Sequence, residues 1–313
     1  SDEGVQGANL GGSPAFSFLF LLLGFGLSVS HSRKSGVRDG MRGTEKVREG
    51  QDGSPGVDDT MGLLSWVARL LPMYWFAFAL SLLTASWDTL TVRGVVSSAL
   101  GVQAWFRDEL ISRESANEVL NPPAWIFGAL LFCVGLFPAL QEIIASAIQP
   151  AYALALLPLP WILSFWQAYF HWQGLSGPIR YLGFVPFAVP LPAFLFGVLL
   201  GMAASTSTHG HSLPRSTLLG LRLTLSAMLL VALVWPLSWS HRVPLFFRWW
   251  IATGALCPLF GAWTWTVVGL WNETNEDLLD RFLRHPVCQA LGDISYVFLL
   301  IHTPVLRMLW RTR

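Results

Sequence analysis

The stretch Asn121–Leu140, "NPPAWIFGALLFCVGLFPAL", opens with a polar residue and two prolines and then runs to its end without a charge. At about 1.5 Å per residue, twenty helical residues span about 30 Å, the thickness of a bilayer's hydrocarbon core. Asn121 can accept hydrogen bonds from the free N–H groups of the first turn, and proline is tolerated where an N–H has no partner. The stretch therefore reads as a transmembrane helix with its N-terminus fixed at the interface.

The rest of the chain repeats the pattern. Hydrophobic residues make up 53% and charged residues only 12%, about half the charge of a soluble domain. The charges cluster in Arg33–Asp59, Arg107–Glu118 and Glu273–Arg284. The apolar runs between them are too long and too many for a buried core. The composition implies an all-α, polytopic membrane protein, integral to the bilayer and in contact with lipid. A net charge of +1 gives no basic surface for nucleic acid. Cys133, Cys257 and Cys288 are too far apart for a CxxC pair or a disulfide framework, so they read as packing residues.

Apolar runs cover Ala15–Ser30, Leu64–Thr84, Pro123–Ile144, Ala151–Trp172, Leu182–Ala203, Leu218–Trp239, Trp249–Leu270 and Ala290–Trp310. A ninth segment, Val92–Phe106, is short and weakly apolar, and taken alone fits a re-entrant or interfacial helix. Charge decides how it is read. With Arg33–Arg48 placed in the cytoplasm, loop Lys and Arg split roughly nine inside to eight outside if the segment does not cross. If it crosses, they split about thirteen to four. The positive-inside rule thus predicts nine spans, with the N-terminus outside and the C-terminus inside. The polar, Gly-rich stretch from His31 to Thr60 reads as a disordered cytoplasmic loop. No repeat or soluble domain stands out, so residues 1–313 are expected to form one transmembrane domain.

Ionisable groups inside spans are costly and therefore point to function. Arg69 lies about one turn into its span. It either snorkels to the headgroups or clamps a phosphate or carboxylate with its guanidinium fork. His302 lies deep in the last span, where it either bonds a neighbour or meets substrate. Tyr296, six residues earlier, is not stacked directly above it. Trp125 fits an interface anchor, and Asn121 a cap. His209 and His211 stand in a Ser/Thr-rich loop without a carboxylate or cysteine beside them, so no metal site is expected.

Several segments, in this order, resemble the acyltransferase 3 family of membrane O-acyltransferases. In "FLFLLLGFGLSVSHSRK", Gly24 and Phe25 match the family's Ser-Gly-Phe element, with Leu23 at the serine position. "RLLPMYW" is similar to Arg-x-x-Pro-x-Tyr through Arg69, Pro72 and Tyr74. "LPAFLFGVLLG" resembles Pro-x-Phe-x-x-Gly through Pro192, Phe194 and Gly197. "LGDISYVFLLIHTPVL" carries Gly292, Ile294, Ser295, Tyr296, His302, Pro304 and Val305 as expected. The opening stretch resembles Asn-x-Pro-x-Trp-Ser-Leu-x-x-Glu through Asn121, Pro123 and Trp125, with Phe137 and Pro138 further on. Ile126 stands at its Ser position and Leu130 at its acidic one.

The resemblance implies a ten-helix bundle that transfers an acyl group, with acyl-CoA as donor substrate and no tightly bound cofactor, to a hydroxyl of a sugar, lipid or small molecule. It implies that Arg69 orients the donor's anionic part, and that Asn121, Trp125 and Tyr296 contact substrate. Within this chain His302 is the catalytic candidate. The family's histidine base lies on its first helix, and the resemblance aligns Ser1 near the start of the second. That leaves nine family helices here and the base on a segment upstream. A catalytically inactive relative that binds or transports in the membrane is the alternative.

Overall fold

The computed structural model of the chain describes residues 14–44, 57–85, 90–102, 125–149, 152–173, 190–206, 214–238, 245–271, 281–282 and 284–311. Every regular element among them is helical: α1 (Pro14–Thr44), α2 (Val57–Thr84), α3 (Val92–Ala99), α4 (Trp125–Ala147), α5 (Ala153–Leu156), α6 (Pro158–Gln173), α7 (Leu191–Thr206), α8 (Arg215–Ser238), α9 (Leu245–Thr253), α10 (Cys257–Trp271) and α11 (Pro286–Arg311). Two stretches among the described residues, Ala15–Ser32 and Ile126–Ile144, are long and apolar enough to cross a membrane. A third is made by Pro286–Gly292 and Ile294–Trp310 if this pair, bent by 45°, is one span. Shorter apolar helices include Ala68–Thr84, Ala153–Tyr169, Leu191–Ser205 and Ser216–Val231.

The chain divides into two compact units. The first comprises Ser1–Met61, Gly135–Gly183 and Val189–Glu273, the second Gly62–Val134, Phe184–Ala188 and Thr274–Arg313. In the first unit α7 is central. It is apolar on every side, and a helix of that kind must be covered all round; nearly all its residues from Pro192 to Ala203 are buried. It packs against α1, α5, α6 and α10.

The α1–α7 contact is set by small residues. Ser17, Phe20, Leu21, Gly24 and Ser28 form the buried stripe of α1, spaced as one helical face requires. A Cβ on Gly24 would land on the Phe194 carbonyl oxygen, and one on Gly197 on the Leu21 carbonyl oxygen. A Cβ on Gly201 would stand 2.7 Å from the Phe25 oxygen and 2.8 Å from Ser28 Cβ. The two backbones thus meet directly, as small-xxx-small pairs allow between apolar helices. Further along, Phe18 of α1 stacks on Phe260 of α10 at 4.6 Å.

The run expected over Ala151–Trp172 is broken between α5 and α6, and that over Trp249–Leu270 between α9 and α10. At the second break Gly254, with φ +146°, takes a conformation L side chains rarely adopt. The Trp161 indole N–H donates to Ala255 O at 3.1 Å and Thr253 Oγ1 to Ser164 O at 3.2 Å, which ties the turn to α6.

In the second unit Tyr74, Ala77, Phe127 and Leu300 form a core on which Leu70, Leu71, Leu131, Tyr296 and Ile301 pack. Two sequence expectations change. First, α3 ends at Ala99 after eight residues, about 12 Å, so the described part of Val92–Phe106 is no continuous crossing helix. Gly101, at φ +71°, turns the chain there. Second, α1 continues to Thr44, so the first part of the stretch read as a disordered loop is helical. Extending an existing helix adds one hydrogen bond per residue fixed, which a polar tail rich in Lys and Arg tolerates. Residues 45–56 lie outside the described ones.

Candidate functional site

The second unit holds Arg69, Tyr74, Tyr296 and His302. Tyr74 is buried, its ring stacked on Phe127 at 4.3 Å with 21° between planes. Its hydroxyl donates to the Ser98 carbonyl, while the neighbouring Trp75 indole N–H donates to Ala99 O at 3.3 Å. Phe127 in turn lies against Gly101, where a Cβ would come within 2.8 Å of its ring. Tyr296, on α11, packs against this stack, and its hydroxyl is buried with no hydrogen-bond partner among the described residues. Tyr74→Phe removes one donor and is expected to lower stability by about 1 kcal/mol, seen as a drop in thermal midpoint with the helical signal intact.

His302 is half-buried. Its Nδ1 lies 2.6 Å from the Leu299 carbonyl oxygen. A carbonyl only accepts, so Nδ1 carries the proton in the neutral ring and Nε2 keeps the lone pair. Nε2 faces Thr303 Oγ1 at 3.3 Å, and the Phe298 ring lies nearly parallel to the imidazole at 6.2 Å. The ring is thus held in one orientation by its own helix.

These groups are not assembled into one constellation. Arg69 is exposed, while Leu70 and Leu71 beside it face the core. At about 100° per residue Tyr296 and His302 stand roughly 120° apart around α11. Among the described residues no hydrogen bond, ion pair or ring contact joins Arg69, Tyr296 and His302. Trp125 is the first residue of α4; Asn121, His209 and His211 lie outside the described residues. No group of three or more potential metal-binding side chains occurs among the described residues. Ile126 and Leu130 are 0% and 4% exposed and lie in the apolar interior.

Sequence reasoning passed over Arg222. It is 2% exposed on the face of α8 that also buries Leu218, Leu225 and Leu229. The Ser226 hydroxyl donates to its carbonyl at 2.8 Å and accepts from the Trp263 indole at 3.0 Å. Its signal was a guanidinium two turns inside a largely apolar helix, a costly placement. No family model, curated protein or solved structure matches the chain.

Proposed function

We propose that the chain is a multi-pass membrane O-acyltransferase that moves an acyl group from a thioester such as acyl-CoA to a hydroxyl acceptor. One observation carries this reading. Residues that resemble acyltransferase 3, far apart in sequence, meet in space: Gly24 with Phe194 in the first unit, and Tyr74 and Tyr296 in one apolar cluster in the second. In the chemistry proposed, the acceptor hydroxyl gives its proton to a histidine base as its oxygen attacks the thioester carbonyl. The tetrahedral oxyanion then collapses, the C–S bond breaks, and the leaving thiolate takes the proton back. Within this chain His302 is the candidate for that base, with Nε2 as the basic nitrogen; the resemblance alone puts it on a segment upstream. The exposed Arg69 guanidinium suits an anionic donor.

The buried apolar contacts of Ile126 and Leu130 favour a second reading, a non-catalytic relative that binds or transports in the membrane. The separating experiment incubates membranes carrying the full-length protein with labelled acyl-CoA and hydroxyl acceptors. Label in an acceptor, above empty membranes, supports the enzyme; a folded protein that transfers none leaves the relative. In the active case Arg69→Ala is expected to raise KM for acyl-CoA about tenfold with kcat little changed. An unchanged KM removes the donor role from Arg69.

A further inference from the structure

The short helix α3 is amphipathic the wrong way round for water. Its buried side is small and polar, with Gly94 and with Ser97 and Ser98 at 5% and 4% exposure. Its outward ridge is Val92, Val96 and Leu100, at 82%, 51% and 65%, spaced four apart on one face. This ridge adjoins Trp75 of α2, half-exposed itself, through the indole bond to Ala99 O.

The two ends of α3 differ in what satisfies them. A helix leaves its last four carbonyls without intrahelical partners, and here protein groups supply all four. Val96 O accepts from Leu100 N at 3.0 Å, Ser97 O from Val102 N at 3.0 Å and Ser98 O from Gly101 N at 3.2 Å, with the Tyr74 hydroxyl also on Ser98 O. Ala99 O takes the Trp75 indole. The last four carbonyls of the helix thus need no water, and Gly101 in the turn beyond them is buried. At the N-terminal end Thr91 Oγ1 accepts from Gly94 N at 3.1 Å, Thr91 is exposed, and Arg93 follows in the first turn.

Non-helical backbone survives at membrane depth only where protein satisfies it, and that condition holds at one end of α3. We infer that α3 is a half-helix that dips part-way into the bilayer. Thr91 sits at the headgroup level, the Leu100–Gly101 turn lies in the hydrocarbon, and the Val92–Val96–Leu100 ridge is covered by lipid acyl chains. The inference rests on membrane insertion and is independent of acyl transfer. It places Tyr74 beside a lipid-anchored carbonyl.

The test is a depth measurement on the full chain in phosphatidylcholine vesicles. Spin labels are attached to Val92→Cys, Val96→Cys or Leu100→Cys in a Cys288→Ser background, leaving the buried Cys133 and Cys257 in place. Collision rates are read with oxygen, which partitions into lipid, and with a water-soluble nickel complex. The expected result is an oxygen-to-nickel ratio that rises from 92 to 96 to 100, over about 12 Å. A ratio favouring nickel at 96 and 100 overturns the inference, because the ridge is then in water. Exclusion of both colliders also overturns it, because a protein surface then covers the ridge. A label at exposed Leu83 of α2 provides the lipid reference, and all these positions are exposed, so folding is preserved.

Discussion

Gly197→Leu is expected to destabilise the protein by about 3 kcal/mol or more. The position admits no side chain, because a Cβ there would sit on the Leu21 carbonyl oxygen, 2.8 Å from the carbonyl carbon and 3.0 Å from Cα. All three atoms are backbone, so no rotamer change relieves the overlap. Rotation of α7 does not help either, since its other faces are buried too. The helices must separate, which opens the Gly24–Phe194 and Gly201–Phe25 contacts along the same seam. Thermal unfolding in detergent measures the effect. Gly26→Ala is the internal control. Gly26 lies on α1 two residues from Gly24, but it is exposed with open space around it. That substitution is expected to be neutral or to stabilise by up to about 1 kcal/mol through helix propensity. A Gly197→Leu protein that melts with the wild type would mean the two backbones do not touch.

The second large effect concerns His302. If acyl transfer is detected, His302→Ala is expected to reduce its rate by about 10²–10⁴-fold, the range for loss of a general base. Structural damage would be small. The ring is half-buried, its Nδ1 bonds one carbonyl of its own helix, and its Nε2 partner is the adjacent threonine. The stability change should therefore stay near 1 kcal/mol, so kinetics and folding separate cleanly. His302→Asn places an amide N–H at the Nδ1 position for the Leu299 carbonyl but supplies no basic nitrogen. It should recover any lost stability and none of the rate. Full activity in both variants would assign the base to another segment.

Much of the helical layout is legible in the sequence because span-length apolar runs with few charges leave little else to form. α2, α4, α8 and α11 fall close to the predicted runs. The breaks are harder to read. Between α9 and α10 the apolar character continues through Thr253–Cys257, and only the left-handed Gly254 interrupts the ladder. Hydropathy does not register a change of backbone direction. The inverted α3 was hidden for a related reason: Val-x-x-x-Val-x-x-x-Leu normally marks the inner face of a helix, and which face turns inward depends on Tyr74 and Trp75 elsewhere in the chain.

The candidate site was legible as a set of residues rather than as an arrangement. Spacing separates Tyr296 from His302 on α11, but nothing local reveals that Tyr296 joins the Tyr74–Phe127 stack. Arg69 drew attention because a charge in a span is costly, and it is exposed. Arg222, subject to the same argument, is buried. The difference lies in which helix face packs, a tertiary property.

Insertion into the bilayer is tested most directly by alkaline carbonate extraction of membranes expressing the full chain. The protein should stay in the membrane pellet at pH about 11 and enter solution only with detergent, as apolar helices of bilayer length require. Release into the aqueous supernatant as a dispersed monomer, without detergent, would contradict it.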